Sequence, residues 1–186
     1  MKQHLNQRTK TMKKYSGVQI TLHWLILLLI ITACATMEFR DIFPHDSAGR
    51  YWMGITHYSC GLTVMILMLV RIAVRMFILP PPVCPPLPRW QARTAAAVHG
   101  CLYALFIVLP AMGLLSLYSG QKEWAFFFIN MPVSAVKDMQ WQHNFKEIHE
   151  LLASAGYFIV GLHAAAALLH HYLWHDNTLQ RMMPGK

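Results

Sequence analysis

The chain has 186 residues, which is enough for one domain and too few for two of ordinary size. Hydrophobic residues make up 55% of it and charged residues 13%, which is about half the charged share of a typical soluble domain. This composition argues against a soluble enzyme. The formal net charge of +8 would suit nucleic acid, anionic lipid or the cytoplasmic face of a bilayer, so the positions of the basic residues must decide among them.

Four stretches contain no Lys, Arg, Asp or Glu: Tyr15 to Met37, Tyr51 to Val70, Thr94 to Gln121, and Leu151 to His175. Each meets the ~20 residues that a helix needs to cross a bilayer. Short loops between four such helices require neighbours to run antiparallel. The predicted fold is therefore all-α, an integral membrane four-helix up-and-down bundle. Ser16 and Gln19 predict a capping box at the start of the first helix, which we interpret as retained and not as a signal peptide.

The basic residues are divided unequally between the two ends of the bundle. Eleven of the sixteen lie on the side of the termini, which predicts that both termini are cytoplasmic. The positive charge therefore reflects the orientation of the chain in the membrane, and no nucleic-acid partner is expected. The predicted organisation is a basic cytoplasmic tail (1–14), a four-helix domain (15–176) and a cytoplasmic C-terminal tail (177–186). The five remaining basic residues are predicted at the outer mouth: Arg40, Arg50, Lys122, Lys137 and Lys146.

The loops between the predicted helices and the cysteines give three further predictions. The proline-rich stretch 79–89 predicts a stiff, extended cytoplasmic connector. The aromatic cluster 124–128 is predicted to lie in the outer interface, above the mouth of the bundle. The four cysteines are widely spaced, with no Cys-x-x-Cys, and so indicate neither a disulfide framework nor an iron–sulfur cluster.

The eleven histidines carry the functional signal, because an ionisable side chain inside an apolar helix is costly and usually functional. His149 and His163 are fourteen residues apart, which advances a helix by about 21 Å and returns it to within roughly 40° of the same face. His57 is level with His149 near the outer end, and His23 is level with His163 in the cytoplasmic half. Two level pairs on facing helices match bis-histidine ligation, so the sequence predicts two b-type haems stacked across the membrane.

Other interpretations of these histidines remain open. A single intramembrane histidine could have no role other than to donate a hydrogen bond to a neighbouring helix. His99 could also replace His23 as the partner of His163. The run His170, His171 and His175 could bind a divalent metal, although a contact from His170 to a quinone near the cytoplasmic haem is preferred. Thr21, close to His23 in depth, is a second candidate quinone contact. A four-helix scaffold or metal-uptake protein without haem is a further alternative.

Long strings of the chain, from about Tyr15 to Pro184, resemble bacterial cytochrome b561. These strings are QITLHW at 19–24, MEFR at 37–40, HYSCG at 57–61, GYFIVGLHAAAA at 156–167 and WHDNTLQRMMP at 174–184. The resemblance is strongest to the stand-alone diheme members that oxidise superoxide. It implies that His23 with His163 ligates a cytoplasmic haem, and that His57 with His149 ligates a periplasmic one.

The resemblance also implies an activity. The expected protein is a superoxide:ubiquinone oxidoreductase of the bacterial inner membrane, which oxidises superoxide on the periplasmic side and passes the electrons across two haems to ubiquinone. Its expected partners are superoxide, ubiquinone and membrane lipid, with no obligatory protein partner. The alternative is a diheme electron-carrier subunit that links a hydrogenase or formate dehydrogenase partner to the quinone pool.

Overall fold

Four long helices dominate the computed structural model, which describes residues 14–185. They are α1 (Gly17–Glu38), α2 (Ala48–Phe77), α3 (Arg89–Ser119) and α4 (Met139–Tyr172). Each is long and apolar enough to span a membrane. Helices that follow one another in the chain pack together: α1 with α2, α2 with α3, and α3 with α4. The predicted all-α membrane bundle is confirmed.

The helices extend beyond the charges that bounded the predicted spans. α2 continues through Arg71 and Arg75, α3 begins at Arg89, and α4 begins at Met139 instead of Leu151. A charge-free stretch reflects the apolar thickness of the bilayer, whereas helical hydrogen bonding continues where charged side chains reach water. His149 consequently lies well inside α4.

The capping box predicted at the start of α1 is confirmed. The Ser16 hydroxyl accepts from the backbone N–H of Gln19 at 3.3 Å, and the Gln19 side chain accepts from the backbone N–H of Ser16 at 3.2 Å. The amide nitrogen of Gln19 also donates to the carbonyl oxygen of Ile78 at 2.9 Å. The cap therefore joins α1 and α2 at the end of the bundle that carries the termini, which we call the inner end; the opposite end is the outer end, or outer mouth.

The predicted C-terminal tail folds back over the inner end of the bundle as far as residue 183. We call residues 176–183 the inner strap. The indole of Trp24 donates to the carbonyl of Met182 at 2.8 Å, and the backbone N–H of Tyr15 donates to the carbonyl of Arg181 at 3.1 Å. Asn177 exchanges two hydrogen bonds with Cys84 of the proline-rich connector, at 2.9 and 3.2 Å. The strap thus ties α1 to the connector, which forms neither helix nor strand between residues 78 and 88.

The aromatic cluster near the outer mouth forms a β-hairpin that the sequence pattern did not predict. Strands β1 (Ala125–Phe126) and β2 (Ile129–Asn130) pair antiparallel, and we call residues 124–131 the outer hairpin. Phe127, in the turn, has a φ of 53°. Its backbone N–H donates to the Ser59 hydroxyl at 2.8 Å, and Ser59 is only 1% exposed. This contact fastens the hairpin to α2, two residues after His57.

Apolar side chains fill the middle of the bundle. The buried cluster combines residues of α1, α2 and α3, and its members are Ile26, Val64, Met68, Leu105 and Phe106. Partly buried Leu152, Ile159 and Val160 of α4 pack against it. Because these three residues lie between positions 149 and 163, the core separates the outer histidines of α4 from the inner ones.

Candidate functional site

The outer histidine pair forms between α2 and α4. The ring centres of His57 and His149 are 6.1 Å apart, and their planes are inclined by 80°. Nδ1 of His57 donates to the carbonyl oxygen of Ala33 at 2.9 Å, and Nδ1 of His149 donates to that of Leu109 at 2.8 Å. Because a carbonyl only accepts, these contacts leave Nε2 of each ring unprotonated and able to bind a metal.

The inner pair joins α1 to α4 in a similar arrangement. The ring centres of His23 and His163 are 6.2 Å apart, with planes inclined by 78°. Here Nη1 of Arg71 lies 2.9 Å from Nδ1 of His23 and donates to it, because a guanidinium only donates. With Nδ1 as the acceptor, the neutral ring of His23 carries its proton on Nε2, the opposite of the outer pair, so metal binding by Nε2 of His23 requires the Arg71 contact to be released. Arg71 had been counted only among the cytoplasmic charges, and its place on α2, opposite His23, was not predicted. The two pairs therefore differ in the groups that orient their rings.

The spacing of both pairs fits an iron held between two imidazoles. Two metal–nitrogen bonds of about 2 Å each, extended to the two ring centres, give roughly 6 Å between the centres. The alternative ligand His99 lies nearer to His163, at 5.4 Å between ring centres, and its Nδ1 contacts Ala95 of its own helix. The spacing therefore favours His23 over His99 as the partner of His163.

A partly open cavity adjoins the inner pair. All four helices line it, and its walls are mostly apolar apart from the histidines, one tyrosine and Arg71. Its lining includes His23, His99, His163, Arg71, Tyr103 and Phe106. An apolar space bounded by facing imidazoles and one cation is suited to a haem, whose macrocycle is apolar and whose propionates are anionic.

Glycines provide room beside the outer pair. A Cβ added at Gly113 of α3 would lie 2.9 Å from Nδ1 of His149, so the missing side chain lets this ring reach Leu109. A Cβ at Gly61, four residues after His57 on α2, would meet no atom within 4 Å among the residues described. One at Gly156 would meet only Leu105, at 3.4 Å. Gly113 gave no signal in the sequence because its role depends on a residue of another helix.

The two candidate quinone contacts occupy different settings at the inner end. Thr21 is exposed on α1. His170 is part-buried; its Nδ1 lies 2.5 Å from Oδ2 of Asp176, and its ring packs 4.6 Å from Trp174. Neither belongs to the lining of the cavity beside the inner pair.

Asp176 remains charged although it is buried in the inner strap. Burial alone would raise its pKa, but hydrogen bonds from His170 and Thr178 outweigh this effect and hold the pKa below its ordinary value. The backbone N–H of Thr178 donates to Oδ1 at 2.7 Å. Asp176 therefore accepts at both oxygens and fixes the His170 ring. His175 lies exposed nearby, and within residues 14–185 no group of His, Cys, Asp or Glu has a metal-binding arrangement of its own.

The predicted basic residues of the outer mouth differ in their partners. Arg50 pairs with Asp41 at 2.8 Å, and Lys146 with Glu150 at 2.8 Å. Arg40, Lys122 and Lys137 form no ion pair with any residue in the described part of the chain. These three are unpaired cations at an end that holds seven acidic residues against five basic ones.

The chain is similar to known proteins over nearly its whole length. The family model for prokaryotic cytochrome b561 matches residues 14–185. The chain is 41% identical to the probable superoxide oxidase CybB of Yersinia pestis over 174 residues, covering 94% of this chain and 98% of that protein. It is 41% identical to cytochrome b561 homolog 1 of Escherichia coli K12 over 94% and 99% of the respective chains. It is also 31% identical to cytochrome b562 of Cereibacter sphaeroides, over 91% of this chain and 94% of that protein.

Proposed function

The chain belongs to the prokaryotic cytochrome b561 family of b-type haem electron-transport proteins, and on that premise we propose that it is a superoxide:ubiquinone oxidoreductase. Two superoxide anions each lose one electron and become dioxygen, while one ubiquinone takes up two electrons and two protons and becomes ubiquinol. Superoxide is oxidised on the periplasmic side, and both termini face the cytoplasm. The superoxide substrate is supported by the name of the Yersinia pestis relative.

The observation that carries the proposal is the pair of matched histidine sites at two depths of one bundle. His57 with His149 and His23 with His163 present rings at nearly equal spacing, 6.1 and 6.2 Å, and both pairs share α4. We therefore propose two haems per chain, with these four residues as axial ligands. The haems, when bound, supply one-electron chemistry. The protein orients the four imidazoles and encloses both sites in apolar surroundings, which influences their reduction potentials.

The unpaired cations of the outer mouth support superoxide as the substrate. Arg40, Lys122 and Lys137 place positive charge at the end of the bundle where the outer pair lies. Close to these three side chains the charge attracts a small anion, although the end as a whole holds seven acidic residues against five basic ones. The acidic partners of Arg50 and Lys146 reduce their share of this attraction.

The inner end supplies the groups proposed to contact ubiquinone. His170 is oriented by Asp176, so its Nε2 faces away from the strap carboxylate and is free to exchange a hydrogen bond or proton with a quinone oxygen. Thr21 lies on the exposed surface of α1, where a lipid-soluble quinone arriving from the bilayer would meet its hydroxyl. Both assignments follow from position at the inner end.

Stopped-flow measurement of superoxide decay tests the proposed function. Purified single-chain protein should accelerate the decay beyond spontaneous dismutation, and added ubiquinone should sustain the reaction by reoxidising the protein. Unchanged decay with and without ubiquinone would reject the proposal and favour an electron-carrier subunit that requires a separate catalytic partner.

Replacing His170 with alanine is expected to slow ubiquinol formation by about 10²-fold or more, the usual contribution of a positioned proton donor. Superoxide should still reduce the haems, because the outer site is untouched. Single-turnover haem reduction and steady-state quinol formation, measured on one preparation, separate the two steps. His175→Ala is the matched control because this residue is exposed at the same end. Equal quinol formation by both variants would remove His170 from the quinone site.

A further inference from the structure

Two buried N–H groups near the outer mouth have no acceptor among residues 14–185. They are Nε1 of Trp124 and Nε of Arg40. A buried donor that lacks a partner destabilises the folded chain, so native structures rarely keep one unless water, an ion or a ligand satisfies it. Two of them at the same end of the bundle indicate a ligand with acceptor atoms.

The outer hairpin holds Trp124 close to the outer histidine pair. The Trp124 side chain is only 7% exposed, and its ring centre lies 6.3 Å from that of Tyr58. The Tyr58 ring in turn lies 5.8 Å from the ring of His57. Because Ser59 anchors the hairpin turn through the backbone N–H of Phe127, the indole is clamped against α2 and covered from outside.

A short turn after α1 holds Arg40. This turn, the 3₁₀ helix Arg40–Ile42, is bound by Arg50, whose guanidinium contacts the backbone carbonyls of Arg40 and Phe43 at 3.4 Å each. The same guanidinium pairs with the carboxylate of Asp41 at 2.8 Å. The acid nearest in sequence to Arg40 is therefore engaged by Arg50, and the charge of Arg40 remains available.

One cation and one neutral N–H donor are the groups that a carboxylate accepts from. We propose that Trp124 and Arg40 bind a propionate of the outer haem. The inference rests on the proposed ligation of a haem by His57 and His149. It adds a polar anchor for the cofactor that the ligand pair does not supply.

Superoxide is a second anion to which the same two groups could donate hydrogen bonds. The burial of Trp124 favours the propionate, because a hairpin side chain that is only 7% exposed is suited to a resident cofactor and not to a substrate that must enter and leave in each turnover. The test therefore has to separate a cofactor carboxylate from a diffusible anion.

The test measures haem binding without superoxide. Trp124→Phe removes the indole N–H and keeps an aromatic ring, and Arg40→Gln removes the charge independently. In each variant the outer haem should dissociate to an apo-globin acceptor about tenfold faster or more, and its midpoint potential should shift, as expected when a supporting contact around a metal site is lost. The inner haem should keep its dissociation rate and potential, and thereby report that the chain is folded.

Trp141→Phe is the matched control, because Trp141 is 55% exposed and stacks on Phe145 of its own helix. Reconstitution with haem dimethyl ester separates the two anions. The ester lacks the propionate charge but keeps a carbonyl acceptor, so it should bind weakly to the unmodified chain and no more weakly to Arg40→Gln, whereas Trp124→Phe should still weaken it. If the variants hold ordinary haem as tightly as the unmodified chain, or if Arg40→Gln weakens binding of the ester as much as binding of ordinary haem, the inference is overturned. Absence of any outer haem from the unmodified chain would instead reject the proposed function.

Discussion

Replacing His149 with alanine is expected to lower the haem content from two per chain to about one, with loss of the outer haem. The ring of His149 is the α4 partner of His57, and no other histidine ring stacks with that of His57 in the described part of the chain. Absorption spectra of the reduced protein and pyridine haemochrome quantification measure the loss. Replacing His163 should remove the inner haem by the same reasoning, and leave the outer one.

His143→Ala is the control for this experiment. His143 lies on the same helix, but its side chain is 62% exposed and pairs with Glu147 at 3.2 Å. The variant should keep both haems. If His149→Ala retained two haems, the ligand assignment would be wrong, and with it the electron path from the outer to the inner site.

Replacing Gly113 with alanine is expected to weaken binding of the outer haem although the residue is not a ligand. The added methyl group would lie 2.9 Å from Nδ1 and 3.0 Å from Cε1 of His149, so the ring or the α3 backbone must move. Overpacking of this kind typically costs about 1–3 kcal/mol. Displacement of the ring would also break its 2.8 Å hydrogen bond to Leu109. Haem titration of the apoprotein measures the change in affinity.

Gly100→Ala provides the comparison within the same helix. A Cβ at Gly100 meets no described atom within 4 Å, so this substitution changes helix propensity without crowding a histidine. It should leave both haem affinities unchanged. Equal affinities for Gly113→Ala and Gly100→Ala would mean that His149 is not held in place by the approach of α3.

The fold was readable from the sequence because the bilayer imposes a simple length requirement. A stretch without charge, long enough to cross the apolar layer, must form a helix to satisfy its backbone groups. That requirement located all four spans but not their ends, since α4 starts at Met139, beyond the charges of Lys146 and Glu150. The first charged residue marks the edge of the apolar layer and therefore ended the predicted span, whereas the helix itself continues into the interface.

The histidine pairs were also predictable in part. Spacing along α4 placed His149 and His163 on similar faces, and depth matched each with a partner from an earlier helix. Depth alone could not separate His23 from His99, because both lie in the inner half of the bundle with His163. The ring separations of 6.2 and 5.4 Å favour His23, and they depend on how α1 and α3 are rotated about their axes.

Periodicity, charge and helix length thus determined that this chain is a membrane bundle with intramembrane histidines at two levels. The tertiary structure decided which groups orient those histidines: the Ala33 and Leu109 carbonyls in the outer pair and Arg71 in the inner pair. It also decided that Gly113 leaves space for a ring and that Trp124, the first residue of the outer hairpin, is buried. Each of these contacts joins residues far apart in the chain, and their distances follow from the packing of whole helices and not from any local pattern.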